Sequence, residues 1–311
     1  MNPRVLQETQ IRENNAKMER AVNRTSLLKE FFALIKIGIV YSNLLTVFAG
    51  TWLALYFSRL GALDHLDIVF FTLSGAALII AGSCAINNLL DRDIDVFMER
   101  TKDRPTVTGR AGPYKVLFMG SAFIAAGLLF LLQTTLTAAI LGIIGVFSYV
   151  VLYTIWTKRR YVANTIVGSI SGAVPPLIGW AAVDPDLHLL AWGLFLIMFI
   201  WQPPHFYSLA MKRAEEYRAA GVPMLPVVKG EERAKRSTIL WIALLFPAAF
   251  ILYPLGMPLI IWASALNLYW FVMALYLYRK KTAQEWAQKM FVFSLQYLPL
   301  LFLSMIAITF L

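Results

Sequence analysis

Runs of about 20 apolar residues recur along this chain, and each is long enough for a helix to cross the hydrocarbon core of a bilayer. Nine such runs are read at 31–57, 68–90, 116–134, 136–156, 162–183, 189–210, 238–254, 257–278 and 290–310. The chain is 59% hydrophobic and 15% charged over 311 residues, whereas a soluble domain sits nearer half apolar and a quarter charged. The stretches 116–156 and 238–278 are each about two spans long, so each must fold back on itself. Gln133-Thr134-Thr135 and Pro254-Leu255-Gly256-Met257-Pro258 supply the turns. The expected fold is an all-α membrane protein, a nine-transmembrane-helix bundle over 30–311 preceded by a polar tail over 1–29.

The net charge of +10 is not read as a nucleic-acid signal, because its distribution has a better account. With nine spans, every Lys and Arg except Arg59 falls on the N-terminal segment through Lys36 or on four alternate connections, 92–115, 158–160, 212–236 and 279–289. Cytoplasmic loops carry such an excess. The N-terminus is therefore expected in the cytoplasm and Leu311 on the far side. A single cysteine, Cys84, lies inside a span and excludes an internal disulfide framework. The first apolar run begins near Leu27 and is long enough to span, so no cleavable signal peptide is expected. Glu8, Glu13, Glu19 and Glu30 argue against an acid-poor mitochondrial transit peptide.

Two connections are long, 91–115 after the second span and 211–237 after the sixth, and both fall on the cytoplasmic side. The far-side links are short, so chemistry is expected at the cytoplasmic face. The four-span separation hints at two related four-helix halves followed by a ninth helix.

The first long connection opens with Asn87-Asn88-Leu89-Leu90-Asp91-Arg92-Asp93-Ile94-Asp95. Asn87, Asp91 and Asp95 are four residues apart and share one helix face. Carboxylates at a helix C-terminus meet the negative end of the macrodipole, a placement that a bound cation would relieve. Hard divalent cations take carboxylate and amide oxygens, and Mg²⁺ commonly shares its shell with substrate phosphates. Asp93 lies off that face and is expected to be solvated or paired with Arg92. Arg100, Lys102 and Arg104 follow within about two turns and end at Pro105. Arg pairs bidentately with phosphate, so Arg100 and Arg104 are placed to clamp a diphosphate, while Lys102 fits that role and a topology marker equally. Lys158 is the second phosphate contact expected, with Arg159 and Arg160 read as topology markers.

The sixth span ends Trp201-Gln202-Pro203-Pro204-His205-Phe206, and the connection beyond it carries Lys212, Glu216, Tyr217 and Pro223-Met224-Leu225-Pro226. Glu216 is the expected metal ligand from the opposite half. A double proline is expected to break the helix where it lines a cavity, and Pro175-Pro176 to make a second break. His205 is the one histidine outside the far-side loops.

These motifs resemble the intramembrane prenyltransferase superfamily, and within it the protohaem IX farnesyltransferases. The superfamily pattern N-x-x-x-D-x-x-x-D, then R-T-x-x-R-P, is matched by Asn87, Asp91, Asp95, Arg100, Thr101, Arg104 and Pro105. The haem branch is matched by Lys158-Arg159, by Gly172 to Trp180, by Trp201 to Phe206 and by Pro223 to Val228. The resemblance covers about 30–311. It departs at Ala220, where many relatives carry a second aspartate after the position of Glu216, and at Ile37, where many have proline after the lysine.

The resemblance implies a central cavity, with farnesyl transfer from farnesyl diphosphate to a vinyl group of haem b, giving haem O. It implies Mg²⁺ held by Asn87, Asp91, Asp95 and Glu216. Arg100, Arg104, Lys36 and Lys158 would neutralise the departing diphosphate, and His205 and Lys212 would bind substrate, His205 contacting or orienting the porphyrin, its iron included. It also implies a bacterial plasma membrane, with membrane lipid around the bundle and a haem A synthase or oxidase-assembly factor as the further partner class. Two alternatives remain open at this point. A prenyltransferase of hydroxybenzoate or naphthoate would share the Asp91 motif but lack the Trp201 to Phe206 and Pro223 to Val228 signatures. A transporter would carry charges mid-span, whereas here the acids gather at one face.

Overall fold

The structure, a computed structural model, describes residues 27–311, and these are helical with no strand among them. The expectations that concern residues 1–26 lie outside the described residues. Helix α1 (27–35) meets α2 (Ile37–Phe57) at Lys36, which has φ 51° and ψ 58°. The expected continuous run 31–57 is therefore interrupted there, by a left-handed residue that costs a non-glycine about 1–2 kcal/mol. After α2 come α3 (Leu66–Leu90), the short α4 (Arg92–Asp95), α5 (Pro113–Leu132) and α6 (Leu136–Val146). The turn between α5 and α6 falls at Gln133-Thr134-Thr135 as expected, and Thr135 Oγ1 caps α6 by accepting from the Ala138 amide at 3.0 Å. Helix α6 runs on as a π-helix over Phe147–Thr157.

The second half holds α7 (Asn164–Ala181), α8 (Leu189–Lys212), the short α9 (Ala214–Ala219) and α10 (Leu225–Lys229), and α11 (Glu231–Ala249). A 3-10 segment, Phe250–Leu255, carries α11 to the turn at Gly256, where φ is 95°. Helices α12 (Met257–Leu277) and α13 (Ala283–Ala307) complete the described chain. Helix α11 begins at Glu231 and α13 at Ala283, earlier than the apolar runs alone suggest, because their first turns are polar and α13 is opened by a Thr282–Glu285 capping box.

Among the described residues eight helices are long and apolar enough to cross a membrane. Helix α7 is not one of them, since it carries Asn164, Thr165, Ser169 and two prolines, yet it lies innermost against α2, α6 and α8. Without a hydrophobic driving force between helices in lipid, close backbone approach has to hold such elements together. Helices α3 and α5 meet at two glycine pairs, Gly75 with Gly127 and Gly82 with Gly120. A Cβ on Gly82 would sit 2.5 Å from the Gly120 carbonyl oxygen, and one on Gly75 2.9 Å from that of Gly127. Helices α2 and α7 approach in the same way, with Gly50 against the Pro176 carbonyl and Gly179 against that of Val47.

The double prolines do not break their helices. Both α7 and α8 run through Pro175-Pro176 and Pro203-Pro204. The neighbouring side chains supply polar ties there: Gln202 Nε2 donates to the carbonyls of Ser169 and Met198 at 3.0 and 3.1 Å, joining α7 to α8. A small apolar cluster of Ile94, Met98, Ala210, Val222 and Met224 pins the segment after α4 onto the end of α8. The ends of α3, the π segment and α8 are thereby gathered at one end of the bundle.

The glycine contact predicts that Gly82→Leu lowers stability by about 1–3 kcal/mol through overpacking. Gly38→Ala, at a position with open space around it, should leave the thermal midpoint in detergent nearly unchanged. Equal midpoints for the two variants would contradict the close α3–α5 approach.

Candidate active site

Asn87 lies on the last turn of α3, Asp91 closes that helix, and Asp95 ends α4. The Asp91 amide donates to the Asn87 carbonyl and the Asp95 amide to that of Asp91, each at 2.9 Å. The four-residue spacing thus survives the join between the two helices, and all three side chains are buried. Asp91 Oδ2 accepts from Lys158 Nζ at 2.5 Å, and Asp95 Oδ2 from Arg104 Nη1 at 2.5 Å. Asn87 donates to Asp91 Oδ2 at 2.8 Å and to Thr154 Oγ1 at 2.9 Å, and its amide oxygen accepts from Lys36 Nζ. Desolvating a carboxylate is expensive unless a cation and hydrogen bonds replace the water, and each of these carboxylates has its own cation.

Local structure explains how those cations arrive. In the π segment the Lys158 amide bonds to the Tyr153 carbonyl, and Thr154 and Thr157 hydroxyls to those of Tyr149 and Leu152, all five residues back at 2.8 Å. The wider turn brings both Thr154 and Lys158 to the Asn87–Asp91 pair, with Tyr149 and Tyr153 stacked at 5.9 Å beside them. Arg104 is delivered by a run of turns after α4. Thr101, almost fully buried, donates its hydroxyl to the Asp95 carbonyl at 2.9 Å, and the Arg104 amide donates to the Thr101 carbonyl at 3.0 Å. That is a physical reason for the threonine between the two arginines of the motif.

Other expectations are redrawn. Asp93 pairs with Arg159 and not with Arg92, through two bonds of 2.6 and 2.7 Å that hold its carboxyl below the usual carboxylate range. Arg159 also donates to the Leu90 carbonyl at 2.6 Å and stands 3.9 Å from Asp91, so it is more than a topology marker. Lys102 pairs with exposed Glu99 at 2.7 Å on the surface. Arg100 is exposed and forms no side-chain bond among the described residues. Tyr217, on α9, was given no role by its sequence position. Burial pushes its phenol up, Tyr153 adds to that, and Lys158, Arg100 and Arg213 oppose it. This couples the 213–217 segment electrostatically to Lys158 and Arg100.

The residues proposed for a metal do not meet as one acidic cage. No three His, Cys, Asp or Glu among the described residues come together in that way, because Lys36, Lys158 and Arg104 occupy the space beside Asn87, Asp91 and Asp95. Two buried carboxylate oxygens nevertheless accept no hydrogen bond: Asp91 Oδ1, which has Arg159 Nη2 at 3.9 Å, and Glu216 Oε2, while Glu216 Oε1 accepts from Arg213 at 2.7 Å. Mg²⁺ is usually bound by one or two carboxylates with substrate phosphates and water, and not by an all-protein cage. The chemistry of these carboxylate oxygens fits such an ion.

His205 and Lys212 form no bond to this cluster. His205 Nδ1 lies 2.8 Å from Ser294 Oγ of α13, its ring stacked on Trp201 at 4.9 Å, and Lys212 Nζ lies 4.4 Å over the Phe291 ring.

The UbiA prenyltransferase family model matches residues 43–296. A protein of Geobacillus sp. (strain WCH70) named protoheme IX farnesyltransferase is 58% identical over 287 residues, covering 92% of this chain and 93% of that protein. One of the same name from Bacillus licheniformis is 56% identical over 302 residues, covering 97% and 98%. The solved structure of a UbiA homologue from Archaeoglobus fulgidus bound to GPP and Mg²⁺ has a TM-score of 0.67 at 16% identity, over 89% of this chain and 99% of that one. That likeness establishes the fold, an all-helical one. On the match across most of its length, the chain belongs to the UbiA prenyltransferase family.

Proposed function

We propose that this chain transfers a farnesyl group from farnesyl diphosphate to a vinyl group of haem b, with addition of water, giving haem O and diphosphate. The observation that carries the reading is its 58% identity, over 92% of its length, to a protein named protoheme IX farnesyltransferase. The alternative acceptors, hydroxybenzoate or naphthoate, have no comparable support.

Asp91 would hold Mg²⁺ together with Asn87, Asp95, Glu216 and the diphosphate, Asp91 Oδ1 and Glu216 Oε2 being the oxygens that accept no hydrogen bond. Bound there, Mg²⁺ supplies Lewis-acid stabilisation of the leaving diphosphate. Lys158, Arg104 and Lys36 exchange carboxylate or amide partners for phosphate oxygens, and Arg100 adds a free guanidinium from the loop. This set of cations neutralises the negative charge that develops as the allylic C–O bond ionises. Tyr149 and Tyr153 present stacked ring faces beside the reacting centre, a surface that favours the allylic cation and keeps water from it. His205 and Lys212 bind on the acceptor side.

Residues 30–311 form the catalytic unit, with nine spans when α7 is counted with the eight apolar helices. The Lys and Arg distribution supports a site on the cytoplasmic side with Leu311 outside, and the bacterial relatives support a plasma membrane as its location.

Membranes containing the protein, incubated with haem b, farnesyl diphosphate and Mg²⁺, are expected to yield a haem heavier by one farnesyl and one hydroxyl group, its vinyl having become hydroxyethylfarnesyl, and chelation should stop its formation. Prenylation of a phenolic acid or naphthoate instead, with haem unchanged, would overturn the acceptor. Asp91→Asn keeps the side-chain shape but removes the charge, and should lower the transfer rate by at least about 100-fold while the amount of folded protein in the membrane is unchanged. A variant rate within a few-fold of the parent would remove Asp91 from the chemistry.

A further inference from the structure

Away from the acid–cation cluster, the ends of α11 and α12 enclose a second cavity of about 560 Å³. Arg236 and Ile239 of α11 line it, together with Leu275 of α12 and Tyr278, Arg279 and Lys280 where α12 runs out. Helix α11 packs on α8, α10 and α12, and α12 on α11 and α13, and none of these carries the Asn87–Asp91–Asp95 face. A polar knot builds the cavity wall. Tyr278 Oη donates to Glu232 Oε2 at 2.5 Å. Lys235, with a side chain only 6% exposed, stands 3.7 Å from Glu232 and donates to the Tyr278 carbonyl at 3.3 Å. These bonds tie the first turns of α11 to the end of α12.

The knot also uses up the nearby acid. Glu232 is the one described carboxylate that acts on Arg236, whose guanidinium otherwise meets the Tyr278 side chain. Lys280 Nζ lies 3.7 Å over the Tyr276 ring, and neither it nor Arg279 forms an ion pair among the described residues. Elsewhere on this side Arg110, Arg159, Arg213 and Arg218 each hold a carboxylate. Topology asks only that Lys and Arg lie on this side of the membrane. It does not ask that Arg236, Arg279 and Lys280 line one cavity with an apolar floor.

That floor continues into surface that faces lipid. Leu268, Val272 and Leu275 are exposed at helical spacing along one face of α12, and the stripe ends in the cavity at Leu275. Leu240 and Leu244 are exposed on α11, following Ile239. A complementary ligand is anionic at one end and hydrocarbon at the other. Basic pockets between membrane helices on the cytoplasmic side suit phosphate headgroups, and the arginine fork matches phosphate oxygens.

We propose that this cavity binds an acidic phospholipid. Arg236 and Arg279 hold its headgroup phosphate, and its acyl chains lie along the stripe of Leu268, Val272 and Leu275. Lys280 repels the ammonium of a zwitterionic headgroup and so selects for the acidic one. The bound lipid bridges the two helix ends that Glu232 and Tyr278 already join, and holds that hairpin to its leaflet.

The test titrates the full chain, purified in a neutral detergent, with dioleoylphosphatidylglycerol and reads bound lipid by native mass spectrometry. Dioleoylphosphatidylcholine and inorganic phosphate are the paired probes. The parent should bind phosphatidylglycerol at least about tenfold more tightly than phosphatidylcholine. The double variant Arg236→Gln/Arg279→Gln should bind phosphatidylglycerol at least about tenfold more weakly, with its thermal midpoint in lipid-free detergent unchanged. Lys280→Glu, at an exposed position, should weaken the same binding independently of the two arginines. Lys115→Gln/Lys229→Gln removes as much charge from exposed positions outside the cavity and should keep the parent affinity. Equal phosphatidylglycerol binding by the parent and the arginine variant, or an equal loss in Lys115→Gln/Lys229→Gln, would overturn the site. Inorganic phosphate bound as tightly as phosphatidylglycerol would overturn the lipid as its occupant.

Discussion

Two carboxylates taken out of water, Asp91 and Asp95, set the terms for one whole end of this bundle. A buried charge left alone costs several kcal/mol even after the protein relaxes around it, so every element nearby has to deliver a counter-charge or a hydrogen bond. Three separate segments do so. The π segment brings Lys158 and Thr154, the loop after α4 brings Arg104, and the left-handed residue between α1 and α2 is Lys36, whose ammonium reaches Asn87. Two of the backbone irregularities of the first half, the π turn and the positive φ at Lys36, thus fall at residues that reach the Asn87–Asp91 pair. The pairing also keeps these cations ready for the proposed chemistry. A cation that already neutralises a carboxylate can pass to a phosphate when a metal takes over the carboxylate, with little change in net buried charge.

Much of this arrangement was legible in the sequence because it follows from simple periodicities. Apolar run length gave the long helices, the four-residue spacing gave the Asn87–Asp91–Asp95 face, and Gln133 to Thr135 gave a hairpin turn. What escaped is what depends on partners distant in sequence. Nothing local to Asp93 distinguishes Arg92 beside it from Arg159 on another helix, yet Arg159 is the one whose guanidinium reaches both oxygens. Tyr149, Tyr153 and Thr154 read as ordinary residues of an apolar span, because an α-helical reading cannot foresee a π register. The double prolines misled for a related reason. Proline removes a donor from its own helix, but α7 and α8 continue through theirs inside a bundle that encloses both, where Gln202 of α8 also ties to the Ser169 carbonyl of α7.

The position of α7 ties these observations together. Its apolar run is read as a span over 162–183, yet it is more polar than the eight helices apolar enough to cross a membrane. It packs against α2, α6 and α8, with Gly179 and Gly50 letting α2 come into backbone contact. Polar and proline-bearing helices are tolerated at membrane depth where protein surrounds them. The same enclosure positions Asn164 at its start, where the side chain donates to the Lys158 carbonyl at 3.3 Å and so steadies the chain beside the acid–cation cluster.

The π-helix over Phe147–Thr157 has a consequence for how this protein tolerates change. Side chains that follow it are aimed by the number of residues inside it as much as by their own identity. Losing one residue anywhere in that stretch would let the segment relax to α-helical winding and swing everything beyond by about 100°. Lys158 would then turn away from Asp91 although no site residue had been altered. Insertions and deletions in an apolar span, usually read as matters of membrane thickness, are here matters of electrostatics.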